Sequence, residues 1–171
     1  LKTALIEKES LGGTCLNNGC IPSKSLLKSA EIADLLSNKA KKRGFIFENL
    51  SYDYELIVSN SKKNTKRLKS GLTSLLSKKN IDIFHGLASF NTSNELNINE
   101  DGKNMNITSD KIIISTGSKP FFPKDLKPNG KRIIDSDFVL NSKSLPENIC
   151  IIGGGYIGIE FAYLYSSFGV E

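Results

Sequence analysis

Two cysteines, Cys15 and Cys20, stand in the string Gly12-Gly13-Thr14-Cys15-Leu16-Asn17-Asn18-Gly19-Cys20-Ile21-Pro22-Ser23-Lys24, where the first long helical pattern begins. A helix start supplies partial positive charge, which favours a thiolate over a thiol. Gly12, Gly13 and Gly19 let the backbone bend tightly and approach a ligand closely. Pro22 suits a first helical turn, where a missing N–H costs nothing. Residues five apart in a regular helix have Cα atoms about 8–9 Å apart, whereas a disulfide tolerates at most about 7 Å. A Cys15–Cys20 disulfide therefore needs a distorted turn, and Gly19 is placed to permit one. Such a bond is easily reduced and re-formed. The plainer readings are buried free thiols, common in cores, or half of a zinc site. The zinc reading lacks ligands, because no second Cys/His pair is present. Spacing alone does not choose between a redox pair and buried thiols.

The whole string closely resembles the active-site segment of the pyridine nucleotide–disulfide oxidoreductases. Its ending, Cys20-Ile21-Pro22-Ser23-Lys24, is most similar to the branch that oxidises dihydrolipoamide; glutathione-reducing members usually carry lysine where Ser23 stands. The resemblance implies FAD and NAD as cofactors and a Cys15–Cys20 redox disulfide. It makes Cys15 the interchange thiol and Cys20 the flavin-facing thiolate. Lys24, paired with Glu160, would sit beside the flavin. The implied substrate is a dithiol on the lipoyl domain of a 2-oxo acid dehydrogenase complex, or on a glycine cleavage protein. A homodimer in the cytoplasm is implied as well, or in a mitochondrial or plastid matrix if the source is eukaryotic. Mercuric reductase and a non-catalytic truncated product are the alternatives.

Other positions gain meaning from the same likeness. Leu1 to Lys8 reads as a strand ending near Glu7, and an acidic residue ending the second strand of a dinucleotide-binding unit holds a ribose. By the resemblance Glu7 binds the adenosine ribose of FAD, with Gly12, Gly13, Thr14 and Cys15 in the turn that follows. A solvated glutamate is the plainer reading. The glycine loop expected about 20 residues earlier does not precede it in this sequence. Ala88, in Gly86-Leu87-Ala88, matches a turn against the adenine, and Thr116, Gly117 and Ser118 match a loop against the cofactor. Gly153-Gly154-Gly155-Tyr156-Ile157-Gly158 lies between an apolar run and a helical pattern. That is the context a pyrophosphate-binding loop requires, and the resemblance reads it as the NAD site. The residue that selects NAD over NADP is expected beyond Glu171.

These residues need elements to hold them. Helical patterns run over 23–43, with Leu26, Ala30, Ala33 and the neighbouring Leu27 and Leu36 on one face, and over 53–79, with Leu56, Ile57, Leu68, Leu72, Leu75 and Leu76 as apolar positions and an exposed polar middle. Gly44 is a stop signal for the first. Strands are expected at 81–90, 111–115 and 148–152, with a hairpin over 95–108 turning at Asp101-Gly102. His85, the only histidine, reads as structural. The fold class the resemblance implies is α/β: a Rossmann-like FAD-binding domain over 1–145, lacking its first strand and phosphate loop, then the first βα unit of an NAD-binding domain over 146–171. Such a fragment is not expected to turn over by itself.

Composition adds exclusions. The net charge of +5 comes from 23 basic and 18 acidic residues. The lysines are spread along two helical patterns without interleaved aromatics, which argues for solvated faces rather than nucleic-acid binding. No apolar run of membrane-spanning length occurs. Three cysteines are too few for a secreted disulfide framework.

Overall fold

In a computed structural model describing all 171 residues, strand β1 spans Thr3–Glu7 and pairs in parallel with β2, Ile81–His85. Glu7 stands opposite His85 in the register. Parallel neighbours need a long crossover, and here helices α1 (Gly13–Asn18), α2 (Cys20–Asp34) and α3 (Tyr54–Lys78) lie between them in sequence. A second sheet is an antiparallel meander of β3 (Leu87–Phe90), β4 (Glu95–Glu100) and β5 (Lys103–Thr108). Helices α4 (Ser136–Asn141) and α5 (Tyr156–Ser167) follow. The chain divides into two compact units, residues 1–13 with 67–120 and residues 14–66 with 121–171.

The first unit is organised by its turns. The single strand expected over 81–90 is two strands in different sheets, because Gly86 turns the chain at φ +135°. A Cβ there would lie 2.5 Å from the Asn99 carbonyl oxygen, so no other residue fits. The β4–β5 hairpin forms as expected, with Asp101 and Gly102 both at positive φ, the signature of a tight two-residue turn. Leu96 and Ile98 are its buried residues. The strand expected at 111–115 does not form. None of the five strands pairs with it, so its backbone has no ladder, and Ile113 and Ile114 are exposed.

The second unit has the main core. Leu26, Ala30 and Ala33 of α2 pack with Tyr54 and Val58 of α3, Val139 and Leu140 of α4, and Phe161, Leu164, Tyr165 and Phe168 in and after α5. Each large apolar side chain so buried contributes about 1.5–3 kcal/mol. The apolar face expected for α2 is therefore the buried one. The helix begins earlier than expected, at Cys20, and past Asp34 it continues as a π-helical turn, Leu35–Lys39, and a 3₁₀ turn, Lys41–Arg43. Gly44, at φ +87°, ends it. The N–H groups of Gly44 and Phe45 there donate to the Lys41 and Ala40 carbonyls, a glycine-closed helix end.

For α3 the expectation needs correction. Its leucines are largely solvent-facing: Leu56, Leu68 and Leu75 are each about half exposed. The buried stripe is Tyr54, Val58 and Ser61, spaced four and three apart as one helix face requires. Asp53 caps the helix, its carboxylate accepting from the Leu56 N–H at 2.9 Å. Asp135 does the same for α4 through the Phe138 N–H.

The strand expected at 148–152 is likewise incomplete. The Glu171 N–H donates to the Glu147 carbonyl and the Ile149 N–H to the Glu171 carbonyl, the slanted pattern of a parallel ladder. Between the two segments α5 ends at Gly169, φ +81°. The Gly169 and Val170 N–H groups close back on the Ser166 and Tyr165 carbonyls.

Candidate active site: a dithiol beside a lysine–glutamate ion pair

Residue 19 breaks the helical run between α1 and α2. Only glycine fits there: a Cβ would lie 2.9 Å from the Thr14 carbonyl oxygen and 3.1 Å from the Cys15 Cα. The break is the distortion that a Cys15–Cys20 contact requires. Both cysteines are free, exposed thiols in this structure. The neighbouring Cys20 side chain is the main cause that holds the Cys15 thiol above the ordinary cysteine range. For Cys15 this reverses the expectation of a helix-favoured thiolate. A six-residue α1 offers little dipole, and the neighbouring sulfur dominates.

Lys24 lies one turn beyond Cys20 on the same face of α2. Its Nζ donates to Glu160 Oε1 of α5 at 2.9 Å. That hydrogen bond raises the Lys24 pKa, and the charges of Cys20 and Cys15 add to the effect. The structure thus joins four residues: a dithiol, a cation on the next turn, and, 136 positions away in sequence, the carboxylate that holds the cation.

The remaining residues singled out in the sequence fall in separate places. In the first unit, Glu7 ends β1, at the carboxyl end of a parallel strand, where α/β sheets bind ligands. Its carboxylate accepts from the Glu9 N–H. Gly12 and Gly13 have φ of +100° and +59°, so the turn after β1 takes a path closed to most side chains. Ala88 lies in β3, and Thr116, Gly117 and Ser118 form an exposed loop after β5. His85 ends β2 and is exposed.

In the second unit, Gly153, Gly154 and Gly155 precede α5, and a Cβ at any of the three would meet nothing within 4 Å. Gly158 differs, because a Cβ there would collide with the Gly153 carbonyl oxygen. An open cradle at a helix start, with one glycine fixing the helix against the loop, fits a dinucleotide pyrophosphate. Tyr156 and Ile157 open the helix and are exposed. No group of three or more His, Cys, Asp or Glu side chains is placed to hold a metal ion. No helix is long and apolar enough to cross a membrane.

Sequence reading missed two side chains near the dithiol. Ser61 is 1% exposed, and its Oγ donates to the Pro22 carbonyl at 3.2 Å. Asn64 Nδ2 donates to Ser25 Oγ at 3.2 Å. The signal existed in the four-and-three spacing Tyr54, Val58, Ser61, but the more numerous leucines of α3 outweighed it.

Taken together, the βα-type units, the dithiol at a helix start and the glycine cradle are features of the nucleotide-dependent disulfide oxidoreductases. The chain belongs to the pyridine nucleotide-disulphide oxidoreductase family, whose pattern it matches over residues 1–171. Members of this family work with FAD and NAD. Among its relatives, the dihydrolipoyl dehydrogenase of Chlorobaculum parvum is 37% identical over 172 residues, covering 100% of this chain and 36% of the relative. That of Bacillus subtilis is 36% identical over 181 residues, covering 100% and 38%. The chain therefore spans little more than a third of these relatives' length. Among solved structures, LpdA from Mycobacterium tuberculosis superposes with a TM-score of 0.89 over 99% of this chain and 37% of its own; at 22% identity it shows the fold. The HOCl-induced flavoprotein disulfide reductase RclA from Escherichia coli gives 0.80 at 31% identity, over 100% and 35%. The α/β fold class read from the sequence agrees with these neighbours.

Proposed function

We propose that the complete protein carrying this chain is a dihydrolipoyl dehydrogenase. It oxidises the dithiol of a protein-bound dihydrolipoyl group to the disulfide and reduces NAD⁺ to NADH with release of one proton. The observation that carries this is the placement of two free, exposed thiols on either side of a glycine break, one helical turn from a lysine held by Glu160. The Cys20-Ile21-Pro22-Ser23-Lys24 ending and the relatives named dihydrolipoyl dehydrogenase support the choice of substrate.

In the oxidised protein Cys15 and Cys20 form a disulfide. A substrate thiolate attacks the Cys15 sulfur, the Cys15–Cys20 bond breaks, and a mixed disulfide forms. The second substrate thiolate then displaces Cys15. Substrate leaves as the cyclic disulfide and the protein holds the dithiol, two electrons richer. In the reduced pair Cys15 keeps its proton, its thiol held up by its neighbour. Lys24, fixed by Glu160, supplies positive charge beside the sulfurs. Bound FAD would supply the two-electron relay between this dithiol and the nicotinamide. Glu7, Gly12, Gly13, Thr14, Cys15, Lys24, Ala88, Thr116, Gly117 and Ser118 would hold FAD. Gly153 to Gly158 would hold NAD, with Glu160 acting through Lys24. On this reading residues 1–145 belong to the FAD-binding domain and 146–171 open the NAD-binding domain. The partners are a lipoyl domain and a second copy of the complete protein, in the cytoplasm or an organelle matrix.

A second reading, another disulfide reductase, is favoured by the likeness to RclA. The test is NAD⁺ reduction by the complete FAD-loaded protein with a dihydrolipoyl domain as donor. Turnover with that donor, and none of NADPH with mercuric ion, is expected. Mercuric-dependent oxidation of NADPH without lipoyl turnover would contradict the proposal, and no turnover with either would favour a non-catalytic product.

A further inference from the structure

We propose that Ser61 and Asn64 of α3 are positioning residues that set the rotation of α2 about its axis, and so the placement of Cys20 and Lys24. The inference rests on the dithiol reading above. Ser61 and Asn64 are three apart on α3 and reach Pro22 and Ser25, also three apart on α2. Two polar contacts one turn apart form a clamp that apolar packing alone does not provide. Burial is non-directional, whereas hydrogen bonds lose strength steeply with angle. Pro22 lies between Cys20 and Lys24 in sequence and Ser25 directly follows Lys24, so the clamp acts on the turn that carries both.

The Ser61 side chain argues for this role by what it gives up. It continues the stripe of Tyr54 and Val58 at 1% exposure, a position where an aliphatic residue would bury more apolar area. A buried serine on a helix ordinarily turns back to the carbonyl four residues earlier. Here its hydroxyl crosses to the neighbouring helix. The Pro22 carbonyl lies inside α2, within reach of the helix's own hydrogen bonding, so the contact adds direction more than it rescues an orphan. On the same turn the Ser23 hydroxyl donates to the Cys20 carbonyl at 3.3 Å, which ties the helix start to itself but not to α3. A rotation of α2 by about 20° would move an atom 5–6 Å from its axis by about 2 Å. Misplacement of about 1 Å at reacting groups costs about a hundredfold in rate.

The test uses the complete FAD-loaded protein and the variants Asn64→Ala, Ser61→Ala, Ser61→Thr and the Ser61→Ala/Asn64→Ala pair. Two quantities are read: kcat and KM for the dihydrolipoyl donor, and the pH dependence of alkylation of Cys15 and Cys20 in the reduced protein. The pair variant is expected to lose about ten- to a hundredfold in kcat. Its Cys15 alkylation profile should move to lower pH as the contact with Cys20 loosens. Ser61→Thr, which keeps the hydroxyl, should restore both. If the pair variant matches the parent in both quantities, or only melts earlier, the proposal fails. Should the Ser61→Ala variants not fold, the exposed Asn64→Ala decides, and an unshifted profile there overturns the clamp. The alkylation profile judges the clamp even if the protein proves not to oxidise dihydrolipoyl groups, so the two readings fail separately.

Discussion

Cys15 and Lys24 show how two neighbours set the chemistry of a residue. The sulfur of Cys20 holds the proton on Cys15, and the carboxylate of Glu160 holds the proton on Lys24. The Lys24 shift is upward, so its contribution is full below the ordinary lysine pKa and is lost as pH rises through the raised value. Replacing Glu160 by Gln removes the main cause. The Lys24 amine should then titrate nearer its ordinary range and acylate faster at a fixed alkaline pH than in the parent protein. Peptide-resolved acylation rates check this, and an unchanged Lys24 rate would show that Glu160 does not hold it. The cysteine pair and its glycine were legible in the sequence because each is a rare residue at a telling spacing. The partnership of Lys24 with Glu160 came from resemblance, since no local pattern links residues 136 positions apart. The roles of Ser61 and Asn64 were not legible, because serine and asparagine on a lysine-rich helix look like solvated surface.

Among the elements, the break between α1 and α2 matters most. A Cβ at position 19 would press on the Thr14 carbonyl and the Cys15 Cα, both of which are backbone and cannot swing aside. Gly19→Ala should therefore destabilise the protein by about 1–3 kcal/mol, the usual cost of overpacking, seen as a lower urea midpoint. It should also separate the two sulfurs, so that Cys15 alkylates at lower pH. A variant with an unchanged midpoint and profile would show that the turn has slack. Elements with local signals formed as read: the Asp101-Gly102 hairpin, the buried face of α2 and the Gly44 stop. Those whose identity depends on a partner did not. Residues 111–115 and 148–152 carry strand-like isoleucines, yet a strand is defined by its ladder. The first has no neighbour, and the second has two hydrogen bonds to Glu171. Gly86 shows the reverse case: a continuous β-rich run was cut because the Asn99 backbone comes too close for a side chain.

Across the molecule, the core of the second unit joins four helices whose segments are distant in sequence, and it contains a polar flaw. The Tyr54 hydroxyl is buried without a hydrogen-bond partner, and burial pushes its pKa up to about 12. Because the folded pKa is raised, stability is complete below about pH 10 and falls as pH rises from there toward about 12. Tyr54→Phe should leave neutral stability unchanged or raise it by about 1 kcal/mol, and should flatten the alkaline loss. Urea unfolding at pH 7 and at pH 11 tests both, and a variant less stable at pH 7 would reveal a partner for the hydroxyl. The class of the fold was legible from the order of strand, helix and glycine loop. The division into two units was not, because it depends on which segments touch.

On the proposed function Cys15 and Cys20 interconvert between disulfide and dithiol, while Cys150, the third free thiol, takes no part. The most direct measurement is differential alkylation of the complete FAD-loaded protein, before and after one equivalent of a dihydrolipoyl donor, with each cysteine read by peptide mass. The prediction is that Cys15 and Cys20 are both protected as isolated and both labelled afterwards, with Cys150 labelled equally in the two samples. Cys15 and Cys20 labelled alike before and after the donor would contradict the account.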